Sequence, residues 1–363
     1  MGSTRLIGNN TMEKVLMEDL NYINNKIDFS ILAGKTIAIT GATGLIGQSL
    51  VKSLLFFNQY SDQKINIVAI VRDLNKAHHI FGEEDDTLKF YVSDIRDLRP
   101  KNINVNFVIH AASQTASKNF IDQPIKTIET ALKGTQNVLK FAKANPVQSF
   151  VYLSSMEVYG TPQTDELVRE DHPTDINTMA IRSCYPESKR MCENLCVAYS
   201  QEFGISIKVV RLTQTFGPGV NYCDGRVFAE FARCAIEGKD IVLHTKGETK
   251  RSYLYIADAV TAIFMVLFFG KTGEAYNAAN ANTYCSIFEM AKLVAKNNSK
   301  NCIKVKIKEE KISNFGYAPT LHMNLSTEKL ENLGWRPQID LKDAFDRLIK
   351  SMQTDNEKFL KEI

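Results

Sequence analysis

Tyr185 and Lys189, in the stretch "YPESK", stand four residues apart. On a helix that spacing puts both side chains on one face, about 6 Å apart. A lysine ammonium beside a phenol favours phenolate and can pull the phenol's pKa towards neutrality. Such a tyrosine can take a proton from a hydroxyl while hydride leaves the same carbon. Ser155, at the end of the apolar run "SFVYLSS", can hydrogen-bond the same oxygen. Glu157 follows in "SSMEVYG" and brings a carboxylate suited to proton chemistry or hydroxyl recognition. A tyrosine–lysine pair also arises by chance, so its meaning depends on whether the chain offers the hydride an acceptor.

"TIAITGATGLIGQSLVKSLL", Thr36 to Leu55, offers one. An apolar strand runs into a glycine-punctuated turn and then into an apolar-periodic helix. A strand aimed at a helix N-terminus leaves unpaired backbone N–H groups that suit an anion. Gly41 would allow the tight turn, Gly44 would let backbone approach a pyrophosphate, and Gly47 would let helix and strand pack closely. Thr43, Leu45 and Ile46 complete the same turn. The cofactor is therefore expected to be NAD or NADP. A ribose hydroxyl calls for an acid at the end of the second strand, a 2′-phosphate for an arginine. "NIVAIVRD" places Val71 where the acid often sits, followed by Arg72 and Asp73. Arg72 leans towards NADP, although Asp73 could reach a ribose hydroxyl. Asp94, with Ile95 beside it, follows the third strand and could accept from an adenine amino group. Ala111, Ala112 and Ser113 of "HAAS" are small enough for close passage beside the cofactor.

The elements that must hold these residues alternate. The pattern predicts strand 36–40, helix 45–56, strand 66–72, strands in "KFYVSD" and "NVNFVIHAAS", a helix over 124–144, and strand "SFVYLSS". Strands separated by helices imply parallel pairing with right-handed crossovers, a Rossmann-type doubly wound α/β sheet. Residues 1–34 form a lead-in, amphipathic from 12, and 35–215 a dinucleotide-binding domain with the catalytic residues. Residues 216–363 form mainly a smaller, interleaved substrate domain, with 252–280 returning to the first.

Composition excludes several classes. Over 363 residues the net charge is only +3, too little to suggest nucleic acid or an anionic membrane. The apolar run from Ala259, "AVTAIFMVLFFG", falls short of the roughly 20 residues that span a bilayer. Seven cysteines without a framework read as reduced thiols, and Cys184, Cys192 and Cys196 lack partners that would complete a metal site. His78 and His79 read as a solvated pair. A cytoplasmic protein is expected, with no metal.

Together these residues resemble the extended short-chain dehydrogenase/reductase family, in particular the NAD-dependent epimerase/dehydratase group acting on nucleotide sugars. The resemblance runs from about 34 to 350. "SSMEVYG", "RSCYPESKR", "QTFGPGVNYCDGRVFAEF" and "GETKRSYLYIADAV" look most like UDP-glucuronate decarboxylases, then 4,6-dehydratases. It implies a catalytic triad of Ser155, Tyr185 and Lys189, with Glu157 facing the sugar. Arg182, Gln214, Arg226 and Arg251 would contact the nucleotide-diphosphate sugar, Arg226 and Arg251 at its phosphates. It also implies a homodimer built on helices 125–142 and 185–203. There Ile125, Ile128, Leu132, Leu139 and Ala142 form one stripe, and Met191, Leu195, Ala198 and Phe203 another. The sequence departs from the family at Met156, where an acid or serine is expected, and at Gln214 and Ala131, where asparagine is usual. Oxidation at C4 to a 4-keto sugar is the shared first step. Decarboxylation is the leading reading of the second step, with 4-epimerisation and 4,6-dehydration as alternatives and a non-catalytic dinucleotide sensor as the different class.

Overall fold

Strand and helix alternate from the first glycine turn onward in the computed structural model, which describes residues 11–297, 303–309 and 320–362. In chain order come α1 (Thr11–Lys26), β1 (Thr36–Thr40), α2 (Leu45–Tyr60), β2 (Asn66–Val71), α3 (Leu74–Phe81), β3 (Leu88–Val92) and β4 (Phe107–His110). Next are α4 (Ser117–Asp122), α5 (Pro124–Lys143), β5 (Ser149–Ser155), β6 (Leu167–Val168), α6 (Cys184–Phe203), β7 (Ile207–Leu212) and β8 (Gln214–Phe216). Then come α7 (Val227–Glu237), β9 (Ile241–Leu243), β10 (Lys250–Tyr255), α8 (Ile256–Phe269), β11 (Ala275–Ala278) and β12 (Asn280–Ser286). The last are α9 (Ile287–Asn297), β13 (Val305–Ile307), β14 (His322–Leu325), α10 (Glu328–Glu331) and α11 (Leu341–Glu362).

Seven strands pair in the order β11-β7-β5-β4-β1-β2-β3, every pair parallel. Both faces are covered, which is why the strands read as nearly unbroken apolar runs. Ile37, Ile39, Ile67 and Ala69 join the core on one face, and Ala38, Val68 and Ile70 that on the other, the period of two that a strand imposes. Full burial of side chains of this size is worth roughly 1.5–3 kcal/mol each. Strand order reverses between β1 and β4, so a crevice opens beyond their carboxyl ends.

A smaller sheet, β12-β10-β14-β6 with β8 also paired to β10, stands beyond that crevice. Only Thr213 separates β7 of the large sheet from β8, and only Ala279 separates β11 of the large sheet from β12. The chain thus crosses between the sheets within single residues. Helix α8, the apolar run that was too short for a membrane, is buried on nearly all sides, as a helix apolar all round must be. No helix among the described residues is long and apolar enough to cross a membrane.

Boundaries shift slightly from the sequence pattern. The second strand ends at Val71, which leaves Arg72 exposed beyond it. The first glycine-led helix continues to Tyr60, and the helix that the pattern places over 225–237 begins at Val227 because Arg226 is still extended. Residues 1–10 of the lead-in lie outside the described residues, and from Thr11 it forms α1, packed on α2, α8 and α11. Its Tyr22 hydroxyl donates to Asp258 at 2.6 Å, and its Asp19 accepts from the Tyr255 hydroxyl at 2.6 Å and from Arg347 at 2.9 Å.

Candidate active site

The glycine turn is built by close approach. Gly41 has a left-handed backbone (φ +65°), and a Cβ there would lie 2.8 Å from the Ala112 backbone. A Cβ on Gly47 would lie 2.1 Å from the Gly41 carbonyl oxygen, so only glycine lets α2 start this close to β1. Gly44 is the N-cap of α2 and offers no side-chain cap, leaving the first N–H groups of the helix directed at the crevice. A pyrophosphate fits that cradle by charge and by shape. Beneath it the Thr40 hydroxyl bonds His110 Nδ1 at 2.7 Å and accepts from Ala112 N at 3.1 Å, which ties the ends of β1 and β4 together.

Asp73 apart, every candidate catalytic, cofactor and substrate residue of the sequence lines one cleft of about 2510 Å³. That is more than a single small ligand needs and gives room for a dinucleotide beside a second nucleotide. Beyond the end of β2, Arg72, Lys76 and His79 line the cleft wall, where the sequence expectation puts the adenosine. Asp73 accepts from Lys76 N at 2.9 Å through one carboxylate oxygen and caps α3. Asp94 is held by Arg96 through two side-chain bonds of 3.0 Å and one backbone bond of 2.9 Å. Those bonds keep its carboxyl below the usual range. Ile95 packs under Gly134, where a Cβ would meet its Cδ1 at 2.5 Å.

At the catalytic end, Ser155 closes β5 and accepts from Glu157 N at 3.2 Å. Tyr185 and Lys189 lie in the first turns of α6, both buried. The expected downward pull of Lys189 on the phenol is not what the structure shows. Burial raises the Tyr185 pKa, the Glu157 charge adds to the rise, and the hydrogen bond from Ser155 and the charge of Arg182 oppose it. Lys189 instead donates to the Leu153 carbonyl at 2.7 Å and lies 5.9 Å from the centre of the Tyr185 ring. Burial brings its own pKa down to about 8. Phe120 stacks on Tyr185 with centroids 4.3 Å apart. The sequence reading missed this contact, because α4 is a single short helix without a motif.

Glu157 forms a paired contact with Arg182, 2.9 and 3.1 Å. Met156, where the resemblance leads one to expect an acid or serine, is buried and takes a contact from the Thr213 hydroxyl to its sulfur. Arg251 donates to Gln214 at 3.2 Å. Arg226 is clasped by Asp224 through bonds of 3.0 and 2.6 Å, a partner the sequence did not single out although it stands two residues away. Cys192 and Cys196 are buried thiols, and His78 is half-buried beside Glu83 while His79 is exposed. The two dimer stripes divide: Leu139 and Ala142 are core residues, whereas Ile125 and Met191 are 68% and 48% exposed.

Residues 37–279 match the NAD dependent epimerase/dehydratase family. UDP-glucuronic acid decarboxylase 1 of Xenopus tropicalis is 30% identical over 260 residues, 72% of this chain and 59% of that protein. UDP-glucuronic acid decarboxylase 6 of Arabidopsis thaliana is 29% identical over 265 residues, 71% of this chain and 73% of that one. The chain thus spans well under two thirds of the frog relative. Among solved structures, an epimerase from Methanothermobacter thermautotrophicus shares the fold with a TM-score of 0.76 at 22% identity, over 94% of this chain and 98% of its own. The dTDP-glucose 4,6-dehydratase of Streptomyces venezuelae, with NAD bound, does so with a TM-score of 0.74 at 22% identity, over 89% and 98%.

Proposed function

Because this chain belongs to the NAD dependent epimerase/dehydratase family, we propose that it oxidises a nucleotide-linked uronic acid at C4 and then decarboxylates it, with UDP-glucuronate the first substrate to test. One observation carries the reading beyond the family: a carboxylate and a guanidinium, Glu157 and Arg182, are paired beside Ser155 and Tyr185 in the same cleft. Guanidinium forks suit carboxylates, and a carboxylate beside the ring suits proton chemistry at C5.

In this proposal a sugar C4 hydroxyl rests against Tyr185 and Ser155. Each hydrogen bond to the phenolate favours its ionised form against the burial that opposes it. Lys189, anchored on Leu153, keeps a positive charge at the base of that site. Tyr185 takes the proton of the C4 hydroxyl as the ketone forms and returns one when the ketone is reduced. A dinucleotide whose pyrophosphate is held by the glycine cradle would supply, through its nicotinamide, the acceptor and later donor of the C4 hydride. The resulting 4-keto acid loses carbon dioxide, and Glu157 governs the proton at C5. Arg251 and Gln214 hold the diphosphate side. Arg226 contributes there on exchanging Asp224 for phosphate. Met156, packed in the core, leaves no acid at the position that dehydration would use.

The proposed cofactor is NADP, since Arg72 and Lys76 line the adenosine end and Asp73 is taken up in capping α3. The proposed assembly is a homodimer through α5 and α6, and the proposed compartment the cytoplasm. Incubation of the protein with UDP-glucuronate and product identification by mass tests the reaction. Loss of carbon dioxide in the wild type, and a trapped 4-keto sugar with reduced cofactor in Glu157→Gln, are expected. A Glu157→Gln enzyme that turns over normally moves the assignment to 4-epimerisation, which needs only Ser155, Tyr185 and Lys189.

A further inference from the structure

Arg182 and Glu157 meet at the sugar end of the cleft, and their pairing is incomplete. The two Nη atoms of Arg182 reach the two carboxylate oxygens, with 22% and 24% of the two side chains exposed. The Nε of Arg182 is buried and has no acceptor among the described residues. A guanidinium presents five donors on more than one edge, so a single carboxylate on its tip leaves an edge unused. An unpaired buried donor makes this resting arrangement poorer than a fully bonded one.

Both residues sit in short turns rather than in a regular helix or strand. Arg182 belongs to the short 3₁₀ turn Ile181–Ser183 ahead of α6, not to the helix itself. Glu157 belongs to the turn Met156–Tyr159, which Ser155 caps. The Arg182 guanidinium lies 5.8 Å from the centre of the Phe120 ring, the ring that stacks on Tyr185. A rearrangement of the pair therefore takes place beside the reacting phenol.

We infer that Arg182 and Glu157 form a latch opened by the substrate: the carboxylate of a nucleotide-linked uronic acid takes the Arg182 fork and frees Glu157 to face the sugar ring. The latch rests on the uronate reading of this site and adds how Glu157 is kept occupied until the correct substrate arrives. One positive guanidinium cannot neutralise two carboxylates, and their like charge pushes Glu157 away once the substrate carboxylate is bound. Turning its Nε edge towards the incoming anion gives Arg182 a two-bond contact and an acceptor for the orphaned donor. A neutral hexose carries no anion, so it leaves the latch shut and Glu157 engaged. Arg182 is thus a positioning residue for Glu157 as well as a selector for acidic sugars.

The test is equilibrium binding to cofactor-loaded Tyr185→Phe protein, which blocks turnover, with and without Glu157→Gln. If Glu157 competes for Arg182, Glu157→Gln tightens UDP-glucuronate by about tenfold or more, the scale of close charge-pair couplings. UDP-glucose affinity moves by less than about twofold and serves as the control for folding. Adding Arg182→Lys weakens UDP-glucuronate and abolishes the gain from Glu157→Gln, a non-additive cycle. If Tyr185→Phe protein prefers UDP-glucuronate to UDP-glucose but Glu157→Gln leaves that affinity unchanged or weaker, the latch is wrong and the uronate reading stands. No preference for UDP-glucuronate over UDP-glucose overturns the uronate reading and the latch with it.

Discussion

Thr40 and His110 are register partners on β1 and β4, and their side chains bond at 2.7 Å just below the glycine turn. The ring's other nitrogen meets the Thr135 hydroxyl at 3.1 Å. With the proton on Nε2, a neutral ring accepts from Thr40 and donates to Thr135, and both partners are satisfied. Burial and the nearby Lys189 charge push its pKa down to about 3.

Acid should therefore loosen the fold through His110. Between about pH 6.5 and 3 the unfolded chain holds a proton on this ring that the folded one does not. Stability then falls as pH falls, by up to about 1.4 kcal/mol per pH unit. Denaturant unfolding of wild type and His110→Asn at pH 7, 6 and 5 checks this. A wild-type minus variant difference that stays flat with pH contradicts it.

Tyr185→Phe should abolish turnover and leave cofactor binding nearly intact, because it removes the phenol oxygen and little volume. General acid–base groups contribute roughly 10²–10⁴-fold. Steady-state rates within about tenfold of wild type would remove Tyr185 from the chemistry.

Arg72→Ala should weaken NADP more than NAD, since the guanidinium lies at the adenosine end and Asp73 is engaged elsewhere. Titrating both dinucleotides into wild type and variant decides it. Equal losses, or a wild-type preference for NAD, leave Arg72 a solvated side chain.

Self-association should depend on the outer sides of α5 and α6. Ile125, Met191 and Val197, the last 44% exposed, stand there, while Leu139 and Ala142 already lie in the core. Light scattering at micromolar concentration is expected to give a dimer, and Met191→Lys with Val197→Lys a monomer. A wild-type monomer refutes the proposal.

The sheet and the glycine cradle were legible because both are local: a period of two in the strands, and glycines at 41, 44 and 47 where strand meets helix. The residues lining the cleft were legible for the same reason, each standing at a strand end or in a motif. Partnership could not be read. Asp94 with Arg96, Asp224 with Arg226 and Glu157 with Arg182 are matched by turns and by long-range packing, which spacing alone does not specify. The direction of the Tyr185 shift escaped too, since a lysine four residues away predicts a lowered pKa only where burial does not outweigh its charge.

The attachment of α1 reaches beyond tidiness at the amino terminus. Residues 37–279 contain Tyr255 and Asp258, yet the groups that satisfy them lie outside that stretch: Asp19 and Tyr22 on one side, the backbone of Gln338 and Ile339 on the other. A fragment excised at the borders of the family match would lose these hydrogen bonds and bare the apolar surface of α8 that α1 covers, a loss that matters against a total stability of about 5–15 kcal/mol. Residues 37–279 are therefore no portable module: α1 before them and α11 after them, joined by Asp19 and Arg347, act as the two ends of one strap.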